Sequence, residues 1–141
     1  YKYNQINEIM REIRYRGIGI AERKWVFGSL WFDTRNKATL IWSEELKYWV
    51  RVDPATVGQY TGLKDEHGKE IYEGDVIRSP LSEDKTRPHR IFYHTGNAAF
   101  MGALVDRKEL CYLRLDQDWI YKFGKEVIGN IHDNPELLKN E

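Results

Sequence analysis

The sequence predicts a mainly β protein: an N-terminal antiparallel sheet over residues ~11–52, a second β region forming a small barrel over ~70–131, and short helical pieces at the termini. Three observations carry that reading. Aromatic residues are frequent, with 5 Trp, 9 Tyr and 5 Phe in 141 residues. Such side chains, together with β-branched ones, suit pleated and half-buried surfaces. Apolar and polar residues alternate with period two in short runs, and Gly, Pro, Asn and Asp interrupt those runs at close intervals.

The first segment departs from the pattern. Ile6, Ile9, Met10 and Ile13 fall at helical spacing, so a short helix over 5–13, or else a loose tail, is expected. From Ile13 the period changes to two, and its phase slips by one between Tyr15 and Ile18. A slip at Gly17 reads as a β-bulge. Lys24–Phe32 (KWVFGSLWF) is a strand with apolar residues on both parities, which implies burial on both faces or a partner covering one. Asp33–Lys37 is a turn. Ala38–Ser43 and Lys47–Val52 pair as a hairpin around Glu44 and Glu45.

Asp53-Pro54 ends that strand, because proline lacks the N–H that a ladder requires. The stretch VGQYTGLKDEHGKEIYEGDVI (57–77) then carries Gly58, Gly62, Gly68 and Gly74. A phosphate cradle has clustered glycines leading into a helix. Here the glycines are dispersed, the flanks are acidic and the next segment is strand-like. The stretch is therefore scaffolding, a turn-rich joint over ~53–69, with a hairpin loop at Lys64–Lys69. Ser79–Pro88 is a loop. Strands follow at Arg90–His94, Ala98–Val105, Leu110–Leu115, Trp119–Phe123 and Val127–Ile131. Asn134-Pro135 starts a short C-terminal helix over 134–139, with Asn as N-cap.

Charge balances at 22 basic and 22 acidic groups, which lacks the basic excess of nonspecific nucleic-acid binders. Residues 1–52 hold ten basic and six acidic groups, so the N-terminal third is positive. Arg11, Arg14, Arg16, Arg23 and Lys24 bracket Tyr15 and Trp25. Two readings stay open there: a solvated strand face, or side chains that contact a nucleic-acid backbone and stack on bases.

Nothing points to catalysis. His67, His89, His94 and His132 lack metal-ligand spacing. Asp116 and Asp118 read as surface turn acids, and Cys111 as a small side chain in an apolar run. Glu44-Glu45 and Glu73/Asp75 show no sign of a shared cleft, and no Gly-x-Ser-x-Gly elbow occurs. The expectation is therefore a non-enzyme with no cofactor and no metal. A lone cysteine fits a reducing compartment. No apolar run approaches the ~20 residues of a membrane helix, and no signal-peptide core precedes the first strand. A cytoplasmic protein is expected.

The segments REIRYRG (11–17), KWVFGSL (24–30), VDPATVGQYTGLKDEHGKEIYEGDVI (52–77) and VIGNIHDNPELL (127–138) resemble the YopX family of small phage- and prophage-encoded proteins. The resemblance runs from about Met10 to Leu138 and leaves residues 1–10 as an N-terminal extension to a single compact domain over 11–141. It implies a β-rich fold with an SH3-type barrel, here expected over ~70–131, and no catalytic set. Gly58, Tyr60, Gly62, Asp65, Gly68, Gly74 and Asp75 match the family signature as turn positions. The expected function is a non-catalytic binding or self-assembly module in the bacterial host cell, with a protein partner or a second copy as the occupant. The alternative is a nucleic-acid-binding module using Arg11, Arg14, Arg16, Arg23, Lys24 and Trp25. No membrane partner is expected.

Overall fold

The computed structural model describes residues 10–80, 87–105 and 112–138. Cys111, most of the expected N-terminal helix and the middle of the 79–88 loop lie outside them. The part of that helix that is described, from Met10 to Ile13, is not helical. The chain divides into two compact units, Tyr1–Gly62 and Leu63–Glu141.

The first unit holds β1 (Tyr15–Ile18), β2 (Trp25–Asp33), β3 (Ala38–Ser43), β4 (Trp49–Arg51) and β5 (Gly58–Lys64), whose last two residues belong to the second unit. All pairings are antiparallel, in the order β4-β3-β2-β1-β5. Alternate residues build one core of Val26, Ile41 and Val52, against which Tyr15, Leu30, Val50 and Val57 pack. The opposite faces carry Phe27 and Trp31 on β2 and Trp42 on β3.

No bulge occurs at Gly17. The β1–β2 register runs unbroken from Tyr15↔Gly28 to Ile18↔Trp25. The apparent phase slip has another cause. Gly17 and Gly19 take the core-facing positions after Tyr15, because larger neighbours already fill that space. A Cβ on Gly17 would lie 3.2 Å from both Ile41 Cδ1 and Val52 Cβ. Gly17→Val is accordingly expected to cost about 1–3 kcal/mol by overpacking, read as a lower thermal midpoint. An unchanged midpoint would contradict this packing.

Asp53 ends β4 as expected. Its carboxylate accepts the Ala55 N–H at 3.0 Å and caps a 3-10 turn at Pro54–Thr56. Thr56 Oγ1 in turn accepts the Ile18 N–H at 2.8 Å. Three further links join the end of β4 to the end of β1: a Gly19↔Val52 bridge, Ile20 N–H to Arg51 O at 3.0 Å, and Asp53 N–H to Ile18 O at 2.9 Å. The first sheet thus curls back on itself at this end, although no ladder of named strands closes it.

The second unit contains β6 (Glu70–Tyr72), β7 (Asp75–Arg78), β8 (His89–His94), β9 (Ala99–Leu104), β10 (Tyr112–Arg114), α1 (Gln117–Lys122) and β11 (Glu126–Asn130). Five of its strands form an antiparallel sheet in the order β10-β9-β8-β7-β11. Its core is Ile71, Ile77, Ile91 and Ile120, flanked by Leu63, Leu115, Trp119 and Val127. The sheet expected to form a barrel over ~70–131 is open: no pairing joins β10 to β11 among the described residues.

Trp119–Phe123, expected as a strand, lies instead mostly in α1. Asp116 is its N-cap, accepting the Trp119 N–H at 2.8 Å, and Ile120 is its fully buried residue. A capping aspartate with an acid in the first turn and Lys122 in the last is a helix signal that the aromatic content of the segment obscured. The C-terminal helix is a single 3-10 turn, Pro135–Leu138.

Candidate binding surface

The site is best built from β2, β3 and β4. Residues directly opposite in an antiparallel pair share a face, so Trp31↔Leu40, Ser29↔Trp42 and Trp42↔Trp49 place three tryptophans together on the side away from the core. Trp31 and Trp49 stack tilted at 5.4 Å between centroids, and Trp42 meets Trp49 edge-on at 5.6 Å. They remain 46%, 37% and 42% exposed, and Phe27 on the same face 42%. The sequence allowed for burial on both faces of β2 or for a partner over one of them. One face is core and the other is open.

At the end where the sheet curls lies a cavity of about 660 Å³. It sits between the turn after β1 and the β3–β4 hairpin. Val26 and Val50 lie toward the core side, and Ile20, Phe27, Leu46, Tyr48 and Trp49 are among the rest of its apolar lining. Its charged residues are Glu22, Glu44, Glu45, Lys24 and Arg51. The hairpin is set by Ser43, whose Oγ accepts the Leu46 N–H at 2.9 Å, and by Lys47 at φ 60°.

The opposite end of β2 carries the β2–β3 turn. Asp33 organises it, accepting the N–H groups of Arg35 at 3.1 Å and Asn36 at 3.3 Å and the Asn36 side-chain amide at 2.8 Å. The Asn36 amide, with those backbone donors, holds the Asp33 carboxyl below the usual carboxylate range. Phe32 precedes this turn and is 62% exposed.

The six residues suggested for nucleic-acid contact are not presented on one open basic face. The Arg14 guanidinium pairs with Glu12 and donates to Glu44 at 3.1 Å. Arg16 is 7% exposed and lies over the Trp25 ring at 4.6 Å. Arg11, Arg23 and Lys24 are exposed, Arg23 with φ 57° in the turn after β1, while Trp25 is half-buried.

Of the signature positions, all expected as turns in a joint over ~53–69, Gly58, Tyr60 and Gly62 lie instead in strand β5, and the others shape turns. Gly58 is buried in β5 opposite Arg16, and Tyr60 is 4% exposed. Gly62 lies in β5 with φ 85°. In the second unit Asp65 and Gly68 shape the 64–69 loop: Gly68, with φ 83°, donates to Asp65 O at 3.0 Å, and Asp65 donates to Lys69 O at 2.8 Å. The Asp65 carboxylate is 2% exposed and accepts the N–H groups of His67, Lys69 and Val127. Gly74, with φ 89°, sits in the turn where Asp75 accepts the Tyr72 N–H at 2.8 Å. These contacts account for the carboxylates as turn-formers. Among the described residues, no three His, Cys, Asp or Glu side chains gather as a metal site, and no helix is long and apolar enough to cross a membrane.

The tryptophan face and the cavity carry no signal in any single residue. Parity would have placed Phe27 and Trp31 together, but only the strand register adds Trp42 and Trp49.

In sequence, residues 14–139 match the YopX protein family. No curated protein matches the chain. Among solved structures, the crystal structure of protein EF1440 from Enterococcus faecalis is similar. The two share 26% sequence identity and a TM-score of 0.60, over 92% of this chain and 100% of that one.

Proposed function

The chain belongs to the YopX family, and from that premise we propose that it is a non-catalytic module whose role is self-association, working in the bacterial host cell as a phage or prophage product. The observation that carries the proposal is the exposed tryptophan face on β2, β3 and β4. Exposed apolar patches of clustered aromatics mark interaction sites, and tryptophan is prominent among residues that dominate interface energies.

The occupant of such a face follows from its charge. A nucleic-acid platform sets cations beside stacking rings. Here Arg14 is held by two carboxylates and Arg16 is buried, and Lys24 and Arg51 stand among Glu22 and Glu45 around the same cavity, which favours an apolar protein surface.

Sedimentation over rising protein concentration tests the proposal. The average mass is expected to increase with concentration, and Trp31→Ala or Trp49→Ala to weaken association by about 2 kcal/mol, roughly thirtyfold in dissociation constant. A chain that stays monomeric at high concentration, or one retained on single-stranded DNA in a salt-sensitive way, would overturn it.

A further inference from the structure

We propose that the turn between β8 and β9 is a proton-operated switch, closed by the neutral ring of His94 and opened when that ring takes up a proton. The inference is independent of the self-association reading and concerns the second unit alone.

β8 ends at His94, and a single 3-10 turn, Thr95–Asn97, leads into β9. His94 is the N-cap of that turn: its Nδ1 accepts the Asn97 N–H at 2.9 Å. The preferred residues at such a position are Ser, Thr, Asp and Asn, which accept through an oxygen. An imidazole differs from these at neutral pH and below. Its Nδ1 accepts only while the lone pair is free, so the closed turn requires the neutral ring with its proton on Nε2. In the charged ring both nitrogens are donors, and the Asn97 N–H then meets a donor. Histidine is the side chain that ordinarily changes charge between about pH 5 and 8. The cap is therefore made by the neutral ring and lost on acidification.

Packing sets the ring over the turn. Gly96 makes room for it, because a Cβ there would lie 2.9 Å from His94 Cε1. Phe92 meets the ring edge-on at 6.1 Å. The other bonds of the turn are weak. Ala98 ends it in the left-handed region, with φ 49° and ψ 44°, and donates to Thr95 O at 3.2 Å; that conformation is unfavourable for alanine. The Asn97 side-chain amide reaches Met101 Sδ at 3.4 Å, and a thioether is a poor acceptor.

The charged groups near the ring come from three elements. Arg90 lies on the same face of β8, over Phe92 at 5.4 Å. Arg114 of β10 is opposite Met101 and pairs with Asp116 at 3.7 Å. Glu73 precedes Gly74, whose N–H donates to Ile91 O at 2.8 Å. The turn and β9 contain no titratable residue. Opening the turn would loosen the end of the β8–β9 ladder, where Ala99 is opposite His94 and Phe100 opposite Tyr93. More of the Tyr93–Phe100 ring pair, now 5.3 Å between centroids, would then be exposed.

Nuclear magnetic resonance of the intact chain tests the switch. At about pH 7.5 the ring nitrogens of His94 should report a proton on Nε2, and the Asn97 amide should be protected from hydrogen exchange. On acidification to about pH 5.5 that protection, corrected for the intrinsic pH dependence of exchange, should fall about five- to tenfold in step with charging of His94. His94→Asn caps with an oxygen that does not titrate, so Asn97 should stay protected at both pH values. Gly96→Ala displaces the ring and should leave Asn97 unprotected at both. His67, His89 and His132 are intact in these variants, so an acid-dependent loss that persists in His94→Asn overturns the proposal. A proton on Nδ1 of the parent near neutrality overturns it too, as does an Asn97 amide still protected after His94 has charged. These last two outcomes are read on the parent and need no variant to fold.

Discussion

Gly28→Ala is expected to prevent stable folding of the first unit. The chain passes so closely at this point that a Cβ on Gly28 would lie 1.7 Å from the Trp42 carbonyl oxygen and 2.9 Å from its carbon. Both are backbone atoms of β3, so no rotamer change relieves the clash. Gly28 pairs with Tyr15 on one side and Ser43 on the other, and Glu44 N–H donates to the adjacent Phe27 oxygen at 3.0 Å. Moving β3 away would break the β2–β3 ladder that sets the tryptophan face. The cost should exceed about 4 kcal/mol, beyond the usual effect of one substitution and comparable with the whole stability of a small domain. Gly62→Ala supplies the contrast. Gly62 has φ 85° but nothing within 4 Å of an added Cβ. It should cost only the strain of a left-handed residue, about 1–2 kcal/mol. Near-ultraviolet circular dichroism with thermal unfolding reads both, and a folded Gly28→Ala chain melting within a few degrees of its parent would refute the argument.

Asp65→Ala should be the most damaging turn substitution in the second unit. One carboxylate accepts from His67 at 2.8 Å, Lys69 at 2.9 Å and Val127 at 3.1 Å. It thereby ties the 64–69 loop to the start of β11. With Asp65 at 2% exposure, water does not readily replace it. Each stranded donor costs about 1–3 kcal/mol, and the loop will open to hydrate some of them, so a loss of roughly 3–5 kcal/mol is expected. Asp65→Asn keeps one acceptor oxygen for His67 and Lys69 but turns an N–H₂ toward Val127. It should lose less, with faster hydrogen exchange concentrated at the Val127 amide. Equal stability in the parent and Asp65→Ala would show that these bonds do not hold the loop.

The turns were the most legible part of the chain. Asp33–Lys37, Asp53-Pro54 and the 64–69 loop each carry local chemistry, a carboxylate that accepts nearby N–H groups or a ring that lacks its own, and each turns where expected. β1 to β4 followed from alternation, whereas β5 (Gly58–Lys64) fell in the stretch read as a turn-rich joint. Two further segments misled for reasons that can be named. The phase slip at Gly17 reflects the bulk of Ile41 and Val52, which lie far along the chain. The aromatic run of 119–123 hid a helix whose capping aspartate was already visible at position 116. The candidate site was least legible, because exposure depends on what the rest of the chain leaves uncovered.

The sequence by itself determined the β class, the places where the chain turns and the family, since these rest on residues acting on their immediate neighbours. Only the tertiary structure decided that Trp31, Trp42 and Trp49 meet on one open face, that the first sheet rather than the second curls toward closure, and that Phe32 and the cavity lie at opposite ends of one strand. Strand register and chain reversal bring together residues whose separation along the sequence carries no trace of their contact. Local propensity does not encode that long-range pairing.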